Sequence, residues 1–225
     1  MTTLVIATRN AHKVQEIQAI LSGSIRFLSL KDFPGAPEII EDAPTFSGNA
    51  IRKAAGLAEW LAASQPSTLN SPLSTRFVLS DDSGLEVDAL NGAPGVHSAR
   101  FAALHGLGPP DSAASSNSSD AANNEKLLRL LKDVPREKRT ARFRCVLALA
   151  EINPQSAIRN SQLFEGACEG RISFAPSGQG GFGYDPLFIP DGYVESFAEL
   201  SEDVKNKISH RSKALARLRL RLLPS

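Results

Sequence analysis

At 225 residues, with 25 Lys and Arg against 24 Asp and Glu, the chain carries a formal net charge of +1, which excludes a general basic field for nucleic acid or an anionic membrane and makes any basic site local. The length suffices for a substantial core and is read as one domain over 1–225. Two cysteines, Cys145 and Cys168, exclude a disulfide framework or a zinc cage, and Met1 runs into Leu4-Val5-Ile6-Ala7 without a leader pattern or a membrane-length apolar run, so an unprocessed cytoplasmic protein is expected.

Residues 2–8 are β-branched and apolar, and Val14, Ile17, Ile20 and Leu21 follow at helical spacing, so the chain opens as strand, turn and helix. Asn10, in the turn Thr8-Arg9-Asn10, is a natural N-cap. The amides and positive dipole end of the new helix, beside Thr8 and Lys13, suit a phosphate, although the same features serve plain capping. The glycine-rich Walker pattern is absent. A second strand is expected over 25–30 and a loop at Pro34-Gly35-Ala36-Pro37. A helix over 45–63 follows, with Phe46, Ala50, Ala54, Leu57, Ala58 and Leu61 as its apolar stripe; Asn49 and Lys53, four apart, share another face, as solvated side chains also do. Residues 65–75, rich in Ser and Pro, read as an exposed loop.

The stretch Phe77-Val78-Leu79-Ser80-Asp81-Asp82-Ser83-Gly84-Leu85-Glu86-Val87 is an apolar run that stops at two acids, a hydroxyl and a glycine. It predicts a buried strand ending in a turn, with the carboxylates at the strand tip, where α/β sheets present their chemistry. Neighbouring residues on an extended backbone point to opposite faces, so one of Asp81 and Asp82 is expected to face a site while the other holds the turn. Taken alone, Asp-Asp-Ser-Gly is equally a polar turn.

Further on, 107–123 holds Gly-Pro-Pro and Ser-Ser-Asn-Ser-Ser, which reads as a flexible insertion too polar to pack and without a catalytic role. A helix over 125–131 follows; the basic run 136–142 reads as the solvated entry to a core strand over 143–152. A strand over 162–174 is expected to curve or bulge at Gly166 and Gly170. Gly178-Gln179-Gly180-Gly181-Phe182-Gly183-Tyr184-Asp185-Pro186 matches G-x-G-x-x-G, but prolines and a short apolar run follow it instead of a helix, which rejects a dinucleotide fold. What remains is a glycine loop whose amides approach a ligand, with Phe182 and Tyr184 as a stacking surface. Ser196-Phe197-Ala198-Glu199 has the form of a capping box, 201–207 reads as a short helix, and Ser209 caps a last helix carrying Ala214, Leu215, Leu218 and Leu222. His210 and Arg211 fall in its first turn, against the helix dipole, which points to another reason for them.

Several of these stretches match one family in order along nearly the whole chain. Thr8-x-Asn10-x-x-Lys13-x-x-Glu16, Thr45-Phe46-x-x-Asn49-Ala50-x-x-Lys53-Ala54, Ser80-Asp81-Asp82-Ser83-Gly84-Leu85-x-Val87-Asp88, Gly92-Ala93-Pro94-Gly95, Gly180-Gly181-Phe182-Gly183-Tyr184-Asp185-Pro186 and Ile208-Ser209-His210-Arg211 resemble the inosine/xanthosine triphosphate pyrophosphatases. The resemblance implies a homodimeric α/β enzyme with an elongated mixed β-sheet, helices on its flanks and two lobes around a nucleotide cleft. The implied reaction is Mg²⁺-dependent hydrolysis of ITP, dITP and XTP to monophosphate and pyrophosphate, with no nucleic-acid or membrane partner. By the same resemblance Thr8, Asn10 and Lys13 hold the triphosphate, with Arg9, Ala11 and His12 of the same turn also binding substrate. Arg9 stands where many relatives have glycine and is expected to alter the loop surface while keeping the backbone cradle. Glu41 and Asp82 bind metal, and Asp82 is also the acid/base residue. Ser83, Lys53 and Lys205 contact phosphate or sugar, and Phe182, Gly183, Tyr184 and Asp185 surround the base with His210 and Arg211. Two other readings stand beside this one: a Maf-like pyrophosphatase of pyrimidine or modified nucleotides, which the Phe182 loop and Ser209-His210-Arg211 disfavour, and a nucleotide-binding module without catalysis.

Overall fold

β-Branched and apolar runs become strands and 3.6-period stripes become helices. In chain order the elements are β1 (Thr2–Ile6), α1 (Ala11–Ile20), β2 (Ile25–Ser29), α2 (Phe46–Ser64), β3 (Arg76–Val87), α3 (Asp120–Leu130), β4 (Thr140–Glu151), β5 (Gln162–Ile172), β6 (Phe188–Pro190), α4 (Glu202–Ile208) and α5 (His210–Leu222). These come from a computed structural model that describes residues 2–21, 23, 25–64, 76–106, 117–152 and 161–222. The loop expected over 65–75 and most of the Ser-rich insertion lie outside them. The strands form a mixed sheet in the order β2-β1-β3-β4-β5-β6, with β1 parallel to both β2 and β3 and β6 antiparallel to β5. An α/β architecture is therefore borne out.

Packing divides the chain into two units, one comprising Met1–Asp82, Cys145–Glu165 and Lys213–Ser225, the other Ser83–Arg144 and Gly166–Ser212. In the first, Leu4 and Ile6 of β1, Ile17 and Leu21 of the α1 segment, Phe77 and Leu79 of β3, Leu147 and Leu149 of β4 and Leu215 and Leu218 of α5 make one buried cluster. The α2 stripe of Ala50, Ala54, Leu57, Ala58 and Leu61 is buried as its spacing predicts, and Ser80 Oγ donates to the Ala50 carbonyl at 2.6 Å, tying β3 to α2. In the second, Leu85, Val87, Phe101, Leu127, Phe143, Tyr184, Phe188 and Phe197 form the core, with the ring of Phe143 4.7 Å from that of Phe188.

The structure corrects several expectations. β3 does not end at its acids; it runs through Asp81 and Asp82 to Val87, and both acids are buried. A strand tolerates buried carboxylates where each has its own cation, as here with Lys13 and Lys53. Residues 120–123, read as part of an unpacked insertion, are the first turn of α3, capped by Ser119 and burying Asn123. Arg139 in the supposedly solvated basic run is buried, with its guanidinium donating to the carbonyls of Leu131, Val134 and Ser173 and the Phe174 ring against it. Residues 196–199 form a turn. Glu199 takes the Ser196 amide at 2.8 Å as a box requires, but Ser196 Oγ donates to the Ser177 carbonyl and leaves the other half unmade. At Gly170 a Cβ would lie 2.3 Å from the Ile189 carbonyl oxygen, so the glycine there serves the close approach of β6.

In the second unit Asp88 accepts from Thr140 Oγ1 at 2.6 Å and from both Arg142 terminal nitrogens, at 2.9 and 3.1 Å; the Thr140 hydrogen bond first, and then Arg142, hold its carboxyl below the ordinary value. A lowered folded pKa contributes stability above the ordinary carboxylate pKa and loses it as pH falls through the folded value. Asp88→Asn is therefore expected to lower Tm modestly at pH 7. The gap to the parent closes as the medium is taken below the carboxylate range, which thermal melts across pH check directly.

Candidate functional site

In the first unit the polar groups gather on β3, α2 and the start of α1. Asn10 caps α1 as predicted, its side chain accepting the Lys13 amide at 3.2 Å, while the Asn10 amide donates to Thr8 Oγ1 at 3.2 Å. Two amides of the expected phosphate cradle are thus already engaged within the turn. Arg9, Asn10, Ala11 and His12 are exposed. Lys13 reaches back to β3, its Nζ 2.5 Å from Asp81 Oδ1, and Cys145 Sγ donates to Asp81 Oδ2 at 3.3 Å from β4. Asp81, expected to hold a turn, instead anchors Lys13.

Asp82 belongs to Lys53. The Lys53 ammonium donates to Glu41 Oε2 at 2.9 Å and to the Asp81 carbonyl at 2.8 Å, and it lies 3.5 Å from Asp82 Oδ1. Desolvation works against its charge, but Asp82 and then Glu41 outweigh it and hold the Lys53 pKa above the usual lysine value. For Asp82, burial is the largest influence and raises the carboxyl above the ordinary range; Lys53 and Lys13 pull it down in part, and Glu41 pushes it up again. A side-chain hydrogen bond from Asn49 also lowers it, while its Oδ2 is buried with no hydrogen-bond partner among the described residues.

Glu41 is put in reach of Lys53 by local packing. Thr45 Oγ1 caps α2 at the Gly48 amide, Asn49 Oδ1 takes the Ala43 amide at 2.9 Å, and a Cβ at Gly48 would come 2.7 Å from the Ala43 Cβ. A glycine and an asparagine one position apart therefore hold the 41–45 segment against the helix. The shared helix face of Asn49 and Lys53 is thus a working face and not a solvated one.

In the second unit the glycine loop is built around Asp185. Its Oδ2 accepts from Lys205 Nζ at 2.6 Å and from the Phe182 amide at 2.8 Å. Gly181 has φ +71°, and a Cβ there would come within 2.1 Å of that oxygen, so only glycine closes the loop. Lys205 Nζ lies 4.8 Å from the centre of the Phe182 ring and the Arg211 guanidinium carbon 5.8 Å, and Arg211 donates to Ser83 Oγ at 2.9 Å. Lys205, expected on phosphate or sugar, spends its charge on Asp185 and the Phe182 ring. Ser209 caps α5 as predicted, its Oγ accepting the Ser212 amide at 3.1 Å. His210 is buried with its ring stacked on Phe143, 4.8 Å between centres. Tyr184 offers no stacking face: it is in the core, and its hydroxyl donates to the Ser98 carbonyl at 2.8 Å. Burial pushes that phenol's pKa up, so it stays a donor. The flat surface of the loop is Phe182 alone.

Along its length the chain agrees with one known sequence pattern: a description of the Ham1 family matches residues 4–220. The chain belongs to the Ham1 family. Among its Ham1 relatives, the dITP/XTP pyrophosphatase of Desulforamulus reducens is 48% identical over 213 residues, covering 94% of this chain and 91% of the relative. The dITP/XTP pyrophosphatase of Shouchella clausii is 43% identical over 219 residues, 97% and 96% of the two chains. The solved HAM1 protein of Coxiella burnetii superposes with a TM-score of 0.77 at 35% identity, with all of both chains covered.

Three participants in this Ham1 chain escaped the sequence reading. Cys145 supports Asp81 from inside an apolar strand run, where a thiol gives no pattern. Asp120 and Asn124 bind the glycine loop: the Gly183 amide donates to Asp120 Oδ2 at 2.6 Å, and Asn124 Nδ2 donates to the Gly183 carbonyl at 2.9 Å. The spacing of four along one helix face was the available signal, masked by the serine-rich composition around it.

Proposed function

We propose that the whole chain, 1–225, acts as one catalytic domain that hydrolyses non-standard purine nucleoside triphosphates, ITP, dITP and XTP, to the monophosphate and pyrophosphate, removing them from the nucleotide pool. The observation that carries this reading is Asp82: a buried carboxylate with one oxygen toward Lys53 and the other without a hydrogen-bond partner among the described residues, in a chain whose relatives of nearly equal length are dITP/XTP pyrophosphatases.

The donor set suits Mg²⁺. Glu41 and Asp82 offer hard carboxylate oxygens, and the orphaned Asp82 Oδ2 is a buried acceptor in want of a cation. Among the described residues no group of three or more His, Cys, Asp and Glu side chains could enclose a metal, so an ion at Glu41 and Asp82 would complete its shell with water and substrate phosphate, as Mg²⁺ prefers. When bound it would offset charge on the departing pyrophosphate. Asp82 also orients a water toward the α-phosphorus and takes its proton. The new bond forms from the water oxygen to the α-phosphorus, and the bond from that phosphorus to the bridging oxygen of the β-phosphate breaks, releasing pyrophosphate. Lys53 and Lys13, fixed by Asp82 and Asp81, supply positive charge to phosphate oxygens without having to be ordered at the moment of reaction.

Base selectivity falls to Arg211 and Phe182. The amides of Phe182 and Gly183 are both engaged inside the protein, and this reading gives the purine O6 to the Arg211 guanidinium. Hypoxanthine and xanthine present an acceptor there; adenine presents an amino group and would strand the buried donor. A homodimer in the cytoplasm belongs to the same reading and is carried by the resemblance alone. No helix among the described residues is long and apolar enough to cross a membrane.

The test is product analysis with ITP, dITP, XTP, ATP, GTP, dTTP and UTP, with Mg²⁺ and with chelator. Metal-dependent pyrophosphate release from the first three and little from the rest is the expected result. Preference for dTTP or UTP would transfer the chain to the Maf-like reading, and nucleotide binding without cleavage would leave a binding module.

A further inference from the structure

Gly183 is gripped at both ends of its backbone by one turn of one helix. Asp120 takes its N–H and Asn124 supplies its carbonyl with a donor, the two side chains being four residues apart on α3. Gly183 has φ +64°, a left-handed conformation, and the space where a side chain would begin is open. The grip therefore acts on the backbone itself, on the two peptide groups that meet at Gly183, one residue beyond Phe182, whose ring lies beside Lys205 and Arg211.

Asn124 is an odd choice for a purely structural residue. Its Oδ1 is buried and has no partner among the described residues. An unsatisfied buried acceptor costs on the order of 1–3 kcal/mol, so a leucine of similar size would pack at least as well at this position. What leucine would lose is the bond to the Gly183 carbonyl.

We propose that Asp120 and Asn124 are positioning residues for base recognition, fixing the peptide groups on either side of Gly183 so that Phe182 and Arg211 meet a purine in one geometry. The proposal rests on the pyrophosphatase reading above and deepens its base-binding half. A rigid loop strands the wrong base, whereas a loop released from α3 shifts to accommodate it, so selectivity falls along with affinity. The phosphate-handling residues belong to other segments, Thr8 to Lys13, Glu41, Lys53 and Asp82, and the chemical step itself is left in place.

The experiment measures kcat, KM and Tm for the parent chain and for Asn124→Leu, Asp120→Ala and Asp120→Asn, each with dITP and dATP. For Asn124→Leu the expected result is a KM for dITP raised about tenfold, the loss of about 1.4 kcal/mol of binding. The dITP over dATP ratio of kcat/KM falls, kcat stays within about twofold of the parent, and Tm is unchanged or higher. Asp120→Ala shows the same pattern, and Asp120→Asn, which keeps an acceptor for the Gly183 N–H, restores it. The exposed position of Asp120 keeps the second pair informative if Asn124→Leu does not fold. A parent chain that leaves dITP intact overturns the pyrophosphatase reading and this inference with it. An active parent whose variants keep KM and selectivity, or lose rate in proportion to lost Tm, overturns this inference alone.

Discussion

Asp82→Asn is expected to lower metal-dependent pyrophosphate release from dITP by about 10³-fold or more while nucleotide binding survives, because on the proposed mechanism it removes both a proton acceptor and a metal ligand without changing shape. With chelator present, binding should be no weaker than in the parent, since the substitution deletes a negative charge beside Lys53 and Lys13 and leaves both ammonium groups to meet the triphosphate. Stability moves the other way. Burial raises the Asp82 carboxyl, so the folded protein holds its proton more tightly than the unfolded chain does. A raised folded pKa contributes stability below the ordinary carboxylate pKa and loses it as pH rises, so ionised Asp82 is a cost to the fold at pH 7. The Asn variant should accordingly melt at the same temperature as the parent or higher at neutral pH, and the gain should vanish in acid. Inactivity joined to undiminished stability marks a residue kept for chemistry. A cleavage-competent Asn variant would remove Asp82 from the mechanism.

The same carboxylate shows what the sequence made legible. The apolar run before Asp81, the α2 stripe and the Asn10 and Ser209 caps are local patterns, and each stands where its pattern put it. That β3 would continue through two acids was not local information. It depends on Lys13, 68 residues away in sequence from Asp81, and on Lys53, 29 residues from Asp82, arriving to neutralise them. Tyr184 illustrates the same limit: Phe182 and Tyr184 read alike in a glycine loop, and only the Ser98 carbonyl, 86 residues from Tyr184, decides that one of them is core. Arg139 and Asn123 were misread for a related reason, since a polar residue in a polar run gives no sign that carbonyls and amides elsewhere will bury it. The candidate site residues themselves came from the resemblance. Periodicity alone placed Asn49 and Lys53 on one face without saying that the face held anything.

Lys53→Met should be the most damaging single change to the first unit. The ammonium is shared by Glu41, Asp82 and the Asp81 carbonyl, its side chain is 12% exposed, and its pKa lies above the ordinary value because Asp82 and Glu41 outweigh its burial. A raised lysine pKa contributes stability at every pH below the unfolded value and loses it only as pH climbs through the folded one, so the whole contribution is present at neutrality. Deleting the charge leaves Asp82 buried beside Glu41 without the larger of its two counter-charges, and the expected cost is about 3 kcal/mol. Acid relieves it. As pH falls and Asp82 takes up its proton, the Tm gap between Lys53→Met and the parent narrows, whereas lost packing of the lysine stem would leave it unchanged. The rate should fall by about 10²–10³-fold, the usual consequence of removing one fixed positive donor from a site of developing charge. Lys53→Arg separates charge from fit: it keeps the first and should recover most of the stability, yet a planar fork cannot reproduce the three directions in which the ammonium donates, so turnover recovers little. Added Mg²⁺ supplies the decisive comparison. If Glu41 and Asp82 are its ligands, it should raise the Tm of Lys53→Met more than that of the parent, because the ion replaces the missing cation. Equal shifts in the two proteins would separate these carboxylates from the metal.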